Sequence, residues 1–440
     1  MPQRSRESLR AQVWLWPSLA AGIALTSATL LVRVRTPVDG QLWPGDGESA
    51  STTLQTVATA VITATSLTFS LVVVALQLAS QQFSPRLLRE FARDRVIQSV
   101  LAVLVATFVY ALTVLRSLGT DQRPLPALAV LVGFLLGIVS AAALVSFLSH
   151  IARAIRVDTM MVTVHAETQA VMRRSYPILE EPGAPAPGQD LPGPDGGAVL
   201  VAHRSGFVQS LTVQRLVADM AKHGAFVRVA VRPGDHVTEG TPVATAWSVE
   251  RAIDVEELTA ALSAAISYGY ERTFEQDVAF GFRQLSDIAV KALSPGINDP
   301  TTAIHALGHA SDLLRDLQGR QLGPGVFDDA SGAPRVLMPD RDHRYYLDLA
   351  IGQVRRYGAA EPTVLVALLV MLRDIATAVR SEKQRDEILR QVDLVTGTMQ
   401  AGLDETDAES VRDVARRVRQ VLDGDVGAAY ADRSGETRSC

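Results

Sequence analysis

Two histidines stand four residues apart in "HALGH", His305 and His309, with Asp312 three residues further on. On a helix that spacing sets both imidazoles on one face, an arrangement that can hold a divalent metal. The zinc-protease pattern needs a glutamate directly after the first histidine, and Ala306 stands there instead. The pair therefore reads as an ordinary helix surface, and no metal, cofactor or catalytic residue is expected. Glu271, Glu275, Asp277, Arg283 and Asp287 form a charged helix face nearby, a pattern more often an ion-pair network than an acid/base pair. The glycine clusters "GDG" at 45–47 and "GPDGG" are too short and badly placed for phosphate loops. No hydrolase or transferase constellation emerges, so the chain reads as something other than an enzyme.

Two further clusters stand out. In "KALSPGINDPTTAIHAL", Ser294, Pro295, Asn298, Asp299 and Pro300 interrupt two helical segments. Pro295 and Gly296 are expected to end the first helix, because a residue before proline avoids the α region and glycine accepts positive φ. Asp299 is expected to cap the second, with Pro300 at its first position. The same five residues remain a candidate functional corner. The other cluster lies in an apolar segment, where Thr52, Thr56, Thr59, Thr63, Ser66, Ser70 and Gln77 recur in steps of three, four and seven. They mark one uncharged polar face of a helix. Such a face either packs against a neighbouring helix with its hydroxyls bonded to backbone carbonyls, or lines a water-filled path.

The elements that carry these residues fall into two solvents. Apolar residues make up 48% of the 440 residues but concentrate before residue 156. Segments 13–34, 54–79, 97–118 and 125–150 each match the roughly 20 residues that cross a bilayer core of about 30 Å. Four transmembrane helices are expected, and the first is too long in its apolar core for a cleaved signal peptide. Arg4, Arg6, Arg10, Arg86, Arg89, Arg93, Arg95, Arg153 and Arg156 flank one side; Arg33, Arg35, Arg116 and Arg123 flank the other. Positive residues stay on the cytoplasmic side, which places both termini there, in the inner membrane of a cell. Apart from Arg33 and Arg116 at span ends, the spans hold no acidic or basic residue, which argues against proton-coupled transport. "GFLLG" lets Gly133 and Gly137 bring two helix backbones close, within the bundle or between subunits. "FSPRLLREFARDR", after the second span, reads as a basic amphipathic helix at the inner membrane surface.

The rest of the chain is read as cytoplasmic. A net charge of −5 gives no basic field for nucleic acid, and Cys440 is the sole cysteine, which suits a reducing compartment. The expected organisation is a four-helix transmembrane domain over 1–156 and a helical connector with a Pro/Gly-rich linker over 157–197. A small β-rich module follows over 198–248, then a helical cytoplasmic domain over 249–425 and a disordered tail over 426–440. In the β module, "GFVQSL" and "RPGDHVTEGTPV" resemble the paired strand-turn units of barrel-sandwich (biotinyl/lipoyl-like) domains, with the helix "VQRLVADMAKHG" inserted. The lysine that carries their prosthetic group has no counterpart here. Helices are expected over 254–293, 300–318, 341–357, 362–380, 382–401 and 405–423, with "VLVALLVML" a buried segment too short to cross a bilayer.

Three blocks carry a wider resemblance: "LQLASQQFSPRLLREF", "GYERTFEQDVAFGFRQLSDIAVKA" and "ALSPGINDPTTA". Together they resemble the bacterial membrane protein family known as domain of unknown function 2254, over nearly the whole chain. The resemblance implies four spans, a β-containing module and a helical cytoplasmic domain, and supplies no activity. Two functions fit the residues. One is a homo-oligomeric ion channel or transport protein with a pore lined by Thr56, Thr59, Thr63, Ser66, Ser70 and Gln77, and ions as permeants. The other is a membrane-anchored sensor or scaffold whose cytoplasmic half binds a protein or small ligand.

Overall fold

The computed structural model describes residues 15–34, 42–82, 94–118, 125–154, 156–179, 186–187, 191, 197–249, 252–399 and 403–431. It divides into two compact units, residues 1–159 and 160–440.

The first unit is helical: α1 (Leu15–Leu31), α2 (Gly47–Gln82), α3 (Arg95–Leu118) and α4 (Ala127–Ala154). Within α2, α3 and α4, the segments Gly47–Gln77, Arg95–Leu118 and Ala127–Arg153 are long and apolar enough to cross a membrane. The first of the four expected spans is the exception. Helix α1 has 17 residues, about 26 Å at 1.5 Å per residue against a core of roughly 30 Å. The expected amphipathic surface helix falls in 83–93, outside the described residues. Helix α3 packs against all three others. Its buried Tyr110 donates a hydrogen bond to the Ala129 carbonyl at 3.0 Å, and Ser140 of α4 donates to Thr107 Oγ1 at 2.9 Å. The glycines of "GFLLG" serve this unit internally: a Cβ on Gly133 would lie 2.6 Å from Leu54, and one on Gly137 3.0 Å from Val57, both on α2.

The second unit begins within α5 (Val157–Ser175) and mixes strands with helices. Its elements continue as β1 (Ala186–Pro187), β2 (Ala198–Val201), β3 (Gly206–Leu211), α6 (Val213–His223), β4 (Phe226–Val229), β5 (His236–Val237) and β6 (Pro242–Trp247). Next come α7 (Val255–Ala265), β7 (Ile266–Gly269), α8 (Val278–Ala292), α9 (Pro300–Leu317), β8 (Gly325–Asp328) and β9 (Pro334–Met338). The remainder is α10 (His343–Tyr357), α11 (Pro362–Ala376), α12 (Glu382–Thr396), α13 (Glu405–Leu422) and α14 (Val426–Ala429). One sheet has the order β1-β8-β9-β4-β6-β2, antiparallel except for the parallel β4/β9 pair; the other is β5-β3-β7.

Three strands lie within the expected helical domain 249–425: β7 inside an expected helix, and β8 and β9 in the interval between the helices expected over 300–318 and 341–357. The expected helix 254–293 breaks at "ISYG", whose Ile266 and Tyr268 are buried in β-type alternation and pair with β3. The β8–β9 hairpin turns where Asp329 accepts hydrogen bonds from the Ser331 and Ala333 amides at 2.8 and 3.1 Å. The module over 198–248 is thus not closed on itself, since β4 pairs with β9 and β3 with β7. The inserted helix α6 and the β3–β5 pairing of "GFVQSL" with the following turn unit are present.

Beyond α8 the helices follow their expected ranges closely, and the apolar face of α11 is buried, from Val364 to Ile375. The tail was expected to be disordered over 426–440; α14 forms at Val426–Ala429, and 432–440 lie outside the described residues. Tyr430, just after it, donates to Asp374 at 2.5 Å and lies 4.1 Å from the guanidinium of Arg373, a side chain only 1% exposed. A buried cation next to an aromatic face is a sufficient reason for this segment to dock.

Candidate functional site

The polar face of α2 is exposed within its unit. Thr56, Thr59, Thr63, Ser66, Ser70 and Gln77 are all exposed. Ala50, Leu54, Ala58, Val61 and Ala75, on the opposite side, are buried. Packing against α3 and α4 therefore uses the apolar face, and the polar one serves neither. Thr56 and Thr63 donate their hydroxyl protons to the Thr52 and Thr59 carbonyls at 2.8 Å each. Their oxygen lone pairs are left facing outward, so this surface offers acceptors. Ser66 and Ser70 also border a groove of about 330 Å3 lined with Pro17, Ile62, Phe69, Leu101 and Val105.

The corner between α8 and α9 is built by local bonds. Asp299 accepts from the Thr302 amide at 3.1 Å and from its hydroxyl at 2.6 Å, and Pro300 occupies the first helical turn. The Thr302 hydroxyl bond holds the Asp299 carboxyl below its ordinary value. Ser294 donates to the Lys291 carbonyl at 2.7 Å, while the Asn298 and Asp299 amides bond back to Ser294 and Ala292 at 2.9 and 2.8 Å. Positive φ falls on Asn298 (49°) and not on Gly296 as expected. Asparagine tolerates that conformation because its short polar side chain can bond locally. The corner brings Ser294, Asn298, Asp299 and Pro300 together as a turn and cap, with Pro295 exposed beside them.

A third site joins segments far apart in the chain. A cleft of about 390 Å3 is bordered by Arg174 in the last turn of α5 and Tyr176 just after it, Arg232 and Pro233 before β5, Glu275 and Gln276 before α8, and Asp340 and Arg341 after β9. Arg341 is 4% exposed and Asp277, beside it, 1%. Arg341 Nη2 donates to the Pro233 carbonyl at 3.0 Å, Nη1 lies 3.5 Å from Asp277, and Asp235 is 3.7 Å away. Asp277 is held more closely by Arg272, at 2.6 Å. Tyr176 donates to Asp340 at 3.1 Å and lies 2.6 Å from the Tyr346 hydroxyl. Burial pushes the Asp277 carboxyl up, against the pull of Arg341 and Arg272, and burial likewise raises Asp340. Burial is the largest influence on Arg341 and works against its charge, but Asp277 together with Tyr346, Tyr345 and Tyr176 more than offsets it, and the guanidinium stays protonated.

The turn "RPGD" makes this possible. Gly234 has φ 93°, and a Cβ there would sit 2.1 Å from Asp277 Oδ2. Only glycine lets the backbone carrying Arg232 and Asp235 approach that carboxylate. Buried, mutually perturbing ionisable groups beside a cleft are what a ligand site requires.

All three sites lie within residues 10–374, the region matched by a family model described as a predicted membrane protein, DUF2254. The chain belongs to this family. It is 34% identical over 427 residues to an uncharacterized protein of Mycobacterium bovis, covering 94% of this chain and 81% of the relative. The same figures hold for an uncharacterized protein of Mycobacterium tuberculosis strain H37Rv. No solved structure matches the chain.

Of the cleft residues in this DUF2254 protein, the sequence pattern marked only Glu275 and Asp277, as part of an ion-pair face. Asp277 does form ion pairs, with Arg272 and Arg341, whereas Arg283 instead donates to Gln353 at 3.2 Å. Tyr176, Arg232, Asp340 and Arg341 carried no local signal, although the Pro-Gly turn next to Arg232 marked a place of close backbone approach.

Proposed function

We propose that this DUF2254 protein is an integral inner-membrane protein that assembles with copies of itself into an ion channel or transport protein, its path lined by α2. The observation that carries the reading is the outward exposure of Thr56, Thr59, Thr63, Ser66, Ser70 and Gln77. Polar side chains in a membrane helix face a bundle interior or water, and a second copy set against this face supplies either. Outward lone pairs on Thr56 and Thr63 suit water or a cation as the occupant. In this reading α1 completes a fourth crossing, and the arginine asymmetry of the flanks puts residues 157–440 in the cytoplasm. Cysteine substitution at each of positions 56 to 70, with Cys440 replaced by serine, tests it in proteoliposomes. Thiol reactivity recurring every three to four residues on the face of Thr59, Thr63 and Ser66, with ion flux blocked by modification, is the expected result. Uniform protection of that face refutes the path.

The cleft around Arg341 favours a second reading, a membrane-anchored sensor that binds a small polar ligand in its cytoplasmic half. Arg232, at the rim, stacks 5.8 Å from the Tyr345 ring and is accessible to a ligand. Under this reading a ligand found by a thermal-shift screen of the detergent-solubilised protein loses its effect in Arg232→Ala. A ligand shift unaltered by that substitution removes the cleft from consideration.

A further inference from the structure

The stripe, the corner and the cleft leave one chemically capable cluster without a role: His165 on α5, with His309 and Asp312 on α9. We propose that His165 and His309 bind a divalent transition-metal ion of the zinc, nickel or copper class, linking α5 to α9. The inference is independent of both readings above.

Geometry comes first. The two Nδ1 atoms lie 3.3 Å apart, with the rings inclined at 69° and their centroids 5.3 Å apart. A tetrahedral ion with metal–nitrogen bonds of about 2.0–2.1 Å separates two of its ligands by about 3.3 Å. Both nitrogens therefore reach one ion with little movement. For a hydrogen bond the same separation lies beyond the usual range of about 2.7–3.2 Å.

The second observation is the carboxylate behind the first imidazole. Asp312 Oδ2 lies 3.1 Å from His165 Nε2. A carboxylate there accepts the Nε2 proton and fixes the tautomer in which Nδ1 carries a lone pair directed at His309. Metal-bound histidines are oriented by the same carboxylate–imidazole contact. His309 joins the site when its own proton resides on Nε2, so binding to two neutral imidazoles needs only a change of tautomer at His309 and no oxidant or reductant.

Both helices are held in place independently of the ion. One turn from His165, Thr168 is buried against Gly281 of α8, and Ala306, Ala310 and Leu313 bury the inner face of α9. His165 is 18% exposed and Asp312 63%, so the site opens to solvent. Among the described residues no three His, Cys, Asp or Glu side chains converge. Water then completes the coordination, and the ion exchanges readily, unlike the closed four-ligand sites that hold structural zinc.

The test is isothermal titration of ZnCl2 and NiCl2 into the full-length, detergent-solubilised protein after chelator treatment and removal of any histidine tag. Visible absorption of bound Co2+ reports the ligand set. One ion per chain is expected, with affinity lost in His165→Ala and His309→Ala, and reduced about 10–100-fold in Asp312→Asn. His305→Ala, one turn away, should bind as the parent does. His309→Gln keeps the surface polar, and a circular dichroism spectrum equal to the parent's shows that lost binding is not lost folding. Absence of binding to the parent overturns the proposal, as does binding that survives both His165→Ala and His309→Ala.

Discussion

Replacing Gly281 by alanine tests how α5 is seated, and with it the placement of Tyr176 in the cleft. A Cβ at Gly281 would lie 1.7 Å from Thr168 Oγ1, 2.7 Å from its Cβ and 2.8 Å from its Cγ2. Rotating the threonine exchanges one close atom for another, because its Cβ is itself too near, so α5 and α8 must separate. Overpacking of a buried contact costs about 1–3 kcal/mol, and a contact this short belongs at the upper end. Alanine returns about 1 kcal/mol through its higher helix propensity. The net loss is about 2 kcal/mol, which for a unit of this size lowers the melting temperature by about 4–8 °C. Melting of detergent-solubilised protein measures it. Thr168→Ala in the same chain removes Oγ1 and Cγ2, so the double variant should recover at least about 1 kcal/mol relative to the sum of the single changes. A Gly281→Ala protein that melts at or above the parent temperature, or strictly additive effects, would show that the two helices do not meet as closely as described.

Other substitutions probe the remaining contacts. Asp299→Ala should cost about 0.5–2 kcal/mol through loss of the cap. The Asp299 carboxyl is held below its ordinary value, so its contribution is present above the unfolded value and disappears as pH falls through the folded one. Melts of parent and variant should therefore converge in acid, and a gap that persists there counts against the cap. Arg341→Met leaves Asp277 buried with only Arg272 beside it; removing one partner of a buried pair costs about 3–5 kcal/mol, and the surviving 2.6 Å contact points to the lower end. Adding Asp277→Asn should lessen that loss in chemical unfolding, whereas an additive loss would mean the two groups are not coupled. Tyr430→Ala should destabilise by about 0.5–2 kcal/mol by stripping the aromatic face from Arg373, and an unchanged melt would place α14 outside the folded unit.

Long segments of one periodicity were readable. The apolar runs of α2, α3 and α4 and the 3.6-residue pattern from α9 to α13 state their own conformation, because each buries one face over several turns. Short strands do not: β7 has four residues, and its alternation is visible only beside β3, nearly sixty positions earlier. The pairing of β4 with β9 joins residues more than a hundred positions apart, which no local pattern encodes. The corner was legible because caps and turns are local chemistry, apart from the exchange of Gly296 for Asn298 at positive φ. The cleft was not, since the burial of Arg341 belongs to the tertiary structure and "MPDRD" reads as an exposed loop. His165 was missed for the same reason: its partners on α9 lie some 140 positions away.

The length of α2 sets a relation to membrane thickness. Its apolar part runs for 31 residues, about 46 Å at 1.5 Å per residue, against a hydrocarbon core of about 30 Å and a full bilayer of about 40–45 Å. Even at a tilt of about 20° it crosses both headgroup layers. With the segment centred in the bilayer, Gln77 then stands among headgroups, Thr52 lies at the edge of the hydrocarbon core, and the interval from Thr56 to Ser70, about 21 Å long, lies at the depth of the acyl chains. Thinning or thickening of the lipid moves that boundary along the helix, so the number of hydroxyls at hydrocarbon depth follows the composition of the surrounding bilayer.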